Sequence, residues 1–100
     1  MEQRQEVSEI IDLLRLNMPL LSHSYNVQTM GIFGSYARGE SNAASDLDIL
    51  VEFSQTPTLF EFVRLQRTLS EMVGAEVDLV MKSGLKPVLG KQILAEVVPV

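Results

Sequence analysis

Cysteine is absent from the 100 residues, and so is tryptophan. The missing thiols exclude a disulfide framework and any thiolate-ligated metal site. No apolar run approaches the ~20 residues that a membrane-spanning helix needs, and the opening MEQRQEVSEI is too charged for a secretory signal. A cytoplasmic location without membrane contact is the expectation. Basic residues are scarce: eight Lys and Arg stand against 13 Asp and Glu, for a formal net charge of −5. They form no stripe and do not interleave with aromatics, so direct nucleic-acid binding by phosphate neutralisation is not expected. The surface suits a neutral or basic protein partner, or a metal–nucleotide complex.

What is present points to one globular domain. With 46% hydrophobic and 21% charged residues the chain can build a single core, and no segment is polar enough to read as disordered. Val7, Ile10, Ile11, Leu14 and Met18 share a helix face within 2–18, and Pro19 is expected to end or restart that helix. NVQTMGIF (26–33) reads as a strand, YARG as the start of a short helix, ESNAAS as a loop and DLDILVEF (46–53) as a second strand. A helix face of Leu59, Phe62, Val63, Leu69 and Val73 follows, capped either by Thr58 with Glu61 or by Thr56 before Pro57, and stopped by Gly74. AEVDLVM is a third strand, and Pro87 opens a last helix carrying Val88, Leu89, Ile93, Leu94 and Val97. The order α-β-α-β-α-β-α predicts a small sheet covered by helices, with strand order left open.

Acids placed in strands carry the chemistry. In extended backbone Asp46 and Asp48 share a side, their Cα atoms roughly 7 Å apart, while Leu47, Ile49 and Val51 face the other way. Two carboxylates beside an apolar core repel each other and are costly without a compensating cation. Hard oxygen ligands so spaced suit Mg²⁺, which completes its shell with water and substrate phosphates. Taken singly, an Asp-x-Asp is more often a solvated strand entrance. Gly34 and Ser35 stand where a strand gives way to a helix, a place where backbone can approach phosphate, although no Walker pattern is present. Asp78 interrupts the apolar EVDLVM; if its strand pairs with that of Asp48, three carboxylates can converge to serve an in-line phosphoryl or nucleotidyl transfer.

Gly34-Ser35, ten intervening residues and Asp46-Leu47-Asp48 make the pattern G-S-x10-D-x-D. This is the signature of the DNA polymerase β-like nucleotidyltransferase superfamily, and FGSYARGESNAASDLDILVEF resembles its minimal members, the MNT proteins. EVDLV resembles their third-carboxylate strand and LKPVLGKQILAEVVPV their closing helix, so the likeness spans about residues 7–100. It implies an α/β (α+β) fold, a small mixed sheet flanked by helices, in a single nucleotidyltransferase domain over 1–100. It further implies that Gly34 and Ser35 bind the nucleotide triphosphate and that Asp46, Asp48 and Asp78 are catalytic Mg²⁺ ligands. Arg38 either reaches phosphate or pairs with Glu40 or another neighbour.

Because such minimal proteins accompany HEPN-domain toxins, the resemblance implies an antitoxin that transfers AMP from ATP to a tyrosine of a HEPN toxin. With no acceptor-binding domain expected in a chain this short, that surface is expected to come from a partner or a second copy of itself, to which Met18, Met30, Met72 and Met81 can contribute if they do not simply fill the core. Neutralisation by binding alone and a small-molecule nucleotidyltransferase are the alternative readings. His23, Tyr25, Tyr36, Arg64 and Arg67 are expected to be ordinary surface residues, and Ser45 to orient the turn before Asp46.

Overall fold

The computed structural model describes residues 7–42 and 45–100; the expected helix start at Glu2 and the middle of the ESNAAS loop lie outside the described residues. Helix α1 (Val7–Tyr25) buries Ile10, Ile11, Leu14 and Leu21. Pro19 lies inside it, so the expected break is not made. Proline removes one N–H donor and crowds the preceding turn. The helix continues because its last turns are gripped from outside: Leu21 is fully buried, and the Tyr25 hydroxyl lies 2.9 Å from Thr68 Oγ1. Asn26, in the left-handed region at φ 59°, ends α1; its N–H donates to Ser22 O at 3.1 Å before the chain enters strand β1 (Val27–Phe33).

Helix α2 is a single turn, Ser35–Arg38, followed by strand β2 (Leu47–Phe53), helix α3 (Leu59–Val73) and strand β3 (Val77–Met81). A 3-10 turn at Lys82–Gly84 leads to helix α4 (Pro87–Glu96) and strand β4 (Val98–Pro99), which the sequence reading did not anticipate. The sheet order is β3-β2-β1-β4, with β1 antiparallel to β2 and β4, and β2 parallel to β3. This is the expected small mixed sheet with flanking helices.

The two faces of the sheet are unequal. One carries Ile32, Leu47, Ile49, Val51, Val77 and Leu79 into the main core, which is closed by α1 and by Leu65, Leu69 and Val73 of α3. Tyr36 is buried there too, correcting its assignment to the surface, and Met30 is buried with Met18, Met72 and Met81 packed around the same core. The opposite face holds a small cluster of Phe33, Leu50 and Ile93, with Val80, Leu85 and Val97 around it. Strand alternation makes this division: Leu50 shares the side of Asp48, and α4 covers only part of that side.

Thr58, not Thr56, caps α3, its hydroxyl accepting from Glu61 N–H at 3.1 Å while Glu61 Oε1 accepts from Thr58 N–H at 2.8 Å. The buried face of α3 differs from the expected one. Leu65, Leu69 and Val73 form the inward row, whereas Leu59 and Val63 are 77% and 47% exposed. At ~100° of turn per residue, Val63 is carried to the far side from Leu65. On α4, likewise, Val88, Leu89 and Leu94 are exposed, and Gly90 and Ile93 are the residues turned inward.

Candidate active site

The site lies on the sparsely covered face, where β1 passes into α2. Gly34 makes that turn at φ +76° and ψ −153°, a conformation that L side chains rarely adopt. A second constraint is packing: a Cβ on Gly34 would run into the carboxylate of Asp48, whose residue pairs with Phe33 across the antiparallel ladder. Glycine therefore lets the turn close onto the acid. Gly39, also left-handed at φ 73°, ends α2, and Glu40 N–H donates to Ser35 O at 2.8 Å.

Parallel pairing of β2 and β3 sets Asp48 opposite Asp78 in register. The condition on which convergence depended is met for these two: β3 pairs with the strand of Asp48, and the two carboxyls interact directly. Burial pushes the Asp48 carboxyl up from 3.8 to about 6, assisted by the charges of Asp78 and Asp46 and by a hydrogen bond with Asp78, and opposed weakly by Arg38. Asp46 is exposed just ahead of β2, close enough for its charge to be felt at Asp48. Among the described residues no three His, Cys, Asp or Glu side chains are gathered tightly enough to enclose an ion. The arrangement is an Asp48–Asp78 pair with Asp46 at its entrance. No Lys, Arg or His among the described residues makes an ion pair with any of the three.

Arg38 pairs with Glu40, Nε to Oε1 at 2.9 Å, and with Glu96, Nη1 to Oε1 at 3.1 Å. Of the two expectations for Arg38, the ion pair is thus the one seen, and one partner is a residue that sequence reasoning missed. Glu96 ends α4, and its Oε2 accepts from the Gly34 N–H at 2.8 Å. That N–H bond, with Arg38 second, holds the Glu96 carboxyl below its ordinary value despite some desolvation. The one sequence signal was an acid breaking the apolar run LAEVV. Its destination depends on β4 pairing with β1, which brings the end of α4 back to the turn.

Gly34, Ser35, Arg38, Asp48, Asp78 and Glu96 line one open cleft of about 930 Å³, whose other walls include Phe33, Val80, Leu85, Leu89 and Ile93, with Gln92 and Ala95 of α4. An acidic pair, a close-approach backbone turn, an arginine and an apolar wall thus share one cavity of ligand size. Ser45 ties the loop before Asp46: its Oγ accepts from Asn42 N–H at 2.9 Å and its own N–H donates to Asn42 O at 3.0 Å. His23, Arg64 and Arg67 are exposed and do not line this cleft, and Tyr25 is tied to Thr68.

Comparison with known proteins agrees with this geometry. Residues 5–100 match the family model described as polymerase beta, nucleotidyltransferase. Protein adenylyltransferase MntA of Thermococcus cleftensis is 44% identical over 92 residues, covering 92% of this chain and 93% of the relative. A minimal nucleotidyltransferase structure superposes with a TM-score of 0.82 at 32% identity, covering 99% of this chain and 100% of the other. The MNT antitoxin complex with a tri-AMPylated HEPN toxin, from Shewanella oneidensis, matches with a TM-score of 0.59 at 28% identity, over 92% of this chain and 66% of the matched one. With its fold, its in-register acids and nearly its whole length accounted for, the chain belongs to the polymerase β nucleotidyltransferase family and is a nucleotidyltransferase.

Proposed function

We propose that the protein is a Mg²⁺-dependent protein adenylyltransferase that moves AMP from ATP to a tyrosine of a HEPN-type toxin in the cytoplasm and so acts as its antitoxin. The observation that carries the reading is the Asp48–Asp78 pair, in register beside the Gly34 turn and short of positive charge. The names of the matched relatives, a protein adenylyltransferase and an antitoxin bound to an AMPylated HEPN toxin, support the acceptor class.

The donor set fits magnesium. Carboxylate oxygens are hard ligands, one or two of them suffice beside water and phosphate oxygens, and the raised Asp48 carboxyl marks a place where a cation relieves repulsion. Asp46 and Asp48, with Asp78, would hold it, and it would offset the charge of the phosphates and of the leaving pyrophosphate. The remaining work falls to the chain itself. Gly34 and Ser35 offer the turn backbone and a hydroxyl to the triphosphate, and Arg38 adds a guanidinium. The acceptor oxygen attacks the α-phosphorus, an O–P bond forms, and the bond from that phosphorus to the bridging oxygen of pyrophosphate breaks. The proton of the acceptor hydroxyl passes to the Asp78 carboxylate, which is exposed toward the cleft. The apolar wall of Val80, Leu85 and Leu89 offers the nucleobase a surface to pack against.

The test is incubation with ATP, Mg²⁺ and the neighbouring HEPN-type protein, followed by intact-mass measurement of that protein. A gain of one or more adenylyl groups is expected. No gain on an authentic partner removes the enzymatic proposal. A double change Asp46→Asn, Asp48→Asn that still silences the partner fully assigns neutralisation to binding alone.

A further inference from the structure

The Gly34 N–H and the Arg38 guanidinium, the groups assigned above to phosphate, already hold an anion. Glu96 Oε2 lies 2.8 Å from Gly34 N, and Arg38 Nη1 lies 3.1 Å from Oε1 and 3.3 Å from Oε2 of the same carboxylate. A backbone N–H and a guanidinium closing on one set of oxygens is the donor arrangement that a phosphate takes. The carboxylate comes from 62 residues away in sequence and is delivered by the end of α4. Its backbone is well fixed. Val98 and Pro99 pair with Ile32 and Gly31, and Val97 packs where Gly31 has no side chain. The side chain itself is 29% exposed at the rim of the cleft.

We propose that Glu96 is a resident anion in the triphosphate cradle, a built-in competitor that nucleotide displaces on binding. This rests on the nucleotidyltransferase reading and adds a control to the same site. While the carboxylate is seated, the cradle is filled, and apparent affinity is the intrinsic affinity scaled by the fraction of molecules in which the cradle is vacant. Between turnovers Glu96 keeps Arg38 and the turn in their working arrangement and shuts out stray anions. A ligand with one phosphate replaces like with like, whereas a triphosphate brings further oxygens into the cleft. Once displaced, Glu96 swings to solvent, and its return assists departure of pyrophosphate.

The probe is inorganic tripolyphosphate, titrated calorimetrically without metal into the unaltered protein, Glu96→Gln and Glu96→Ala, each shown by its melting curve to be folded. Loss of the seated charge is expected to tighten binding roughly three- to tenfold, the range for removing a competing charge-assisted contact at an open site. On the unaltered protein, carbon NMR of the Glu96 carboxyl should move to the position of a solvent-exposed glutamate as the Gly34 amide resonance shifts. Equal or weaker binding by both variants, with the unaltered protein still binding ATP and Mg²⁺, overturns the competitor role and makes Glu96 a positioning residue for Arg38. A Gly34 amide that shifts while the Glu96 carboxyl stays unchanged overturns it too. If no version binds tripolyphosphate or ATP with Mg²⁺, the nucleotide reading falls with it.

Discussion

Replacing Asp48 by Asn should make the protein more stable while destroying its transferase activity. In the folded chain the Asp48 carboxyl titrates near 6 instead of 3.8, chiefly because it is buried and secondly because Asp78 and Asp46 repel its charge. An acid whose pKa is raised by folding binds its proton more tightly in the native state, so the ionised form destabilises the fold above both values. A displacement from 3.8 to about 6 corresponds to about 3 kcal/mol at full effect, and solvent in the open cleft screens it to about 1–2 kcal/mol. Asparagine removes the charge, keeps the shape and can donate to Asp78. At pH 8 without metal the variant should therefore melt roughly 4–15 °C above the parent, given the ~4–8 °C per kcal/mol of a domain this size. The gap should close as pH falls through 6 toward 3.8, where the parent carboxyl becomes protonated in both states. The assay is thermal unfolding by circular dichroism at several pH values, with chelator present. A variant no more stable than the parent at pH 8 would refute the account of a strained, cation-deficient acidic pair.

Three further substitutions test the turn at the site and the inward face of α3. Gly34→Ala forces a side chain onto φ +76° and against the Asp48 carboxylate; urea unfolding should show a loss of roughly 1–3 kcal/mol with transferase activity abolished, and a neutral effect would contradict the close approach of turn and acid. Leu65→Ala should cost about 2–5 kcal/mol whereas Leu59→Ala should stay within about 0.5 kcal/mol, since Leu65 is fully buried and Leu59 is 77% exposed. Similar losses in urea for the two would show that the inward face of α3 is misassigned.

The ends of elements were legible where local chemistry decides them. Gly74 stops α3 in the left-handed region, and Thr58 with Glu61 starts it. The two sides of β2 were legible from alternation alone, which separates Asp48 and Leu50 from Leu47, Ile49 and Val51. What sequence could not show was long-range. Whether Asp78 meets Asp48 depends on parallel pairing of two strands joined through α3, and a slip of one residue would turn Asp78 to the other face. The destination of Glu96 was hidden for the same reason, because it comes from a two-residue strand whose pairing no local pattern announces. Pro19 misled by local rule: the tertiary grip on Leu21 and Tyr25 outweighs the missing backbone bond. Leu59, Val63, Val88 and Leu94 misled by composition, since a leucine or valine at helical spacing does not reveal which row faces inward.

The two sides of the sheet are not equally sealed. Among the described residues sixteen buried side chains make the main core, whereas Phe33, Leu50 and Ile93 form the buried cluster between the sheet and α4. Fluctuations that expose α4 amides to exchange with solvent then proceed by local opening, at less free energy than whole-chain unfolding, while the strand-borne acids stay in place. Pairing of β4 with β1 pins the Glu96 end of α4, so opening starts from the far end of the helix, and the molecule pairs a rigid acidic floor with a yielding rim.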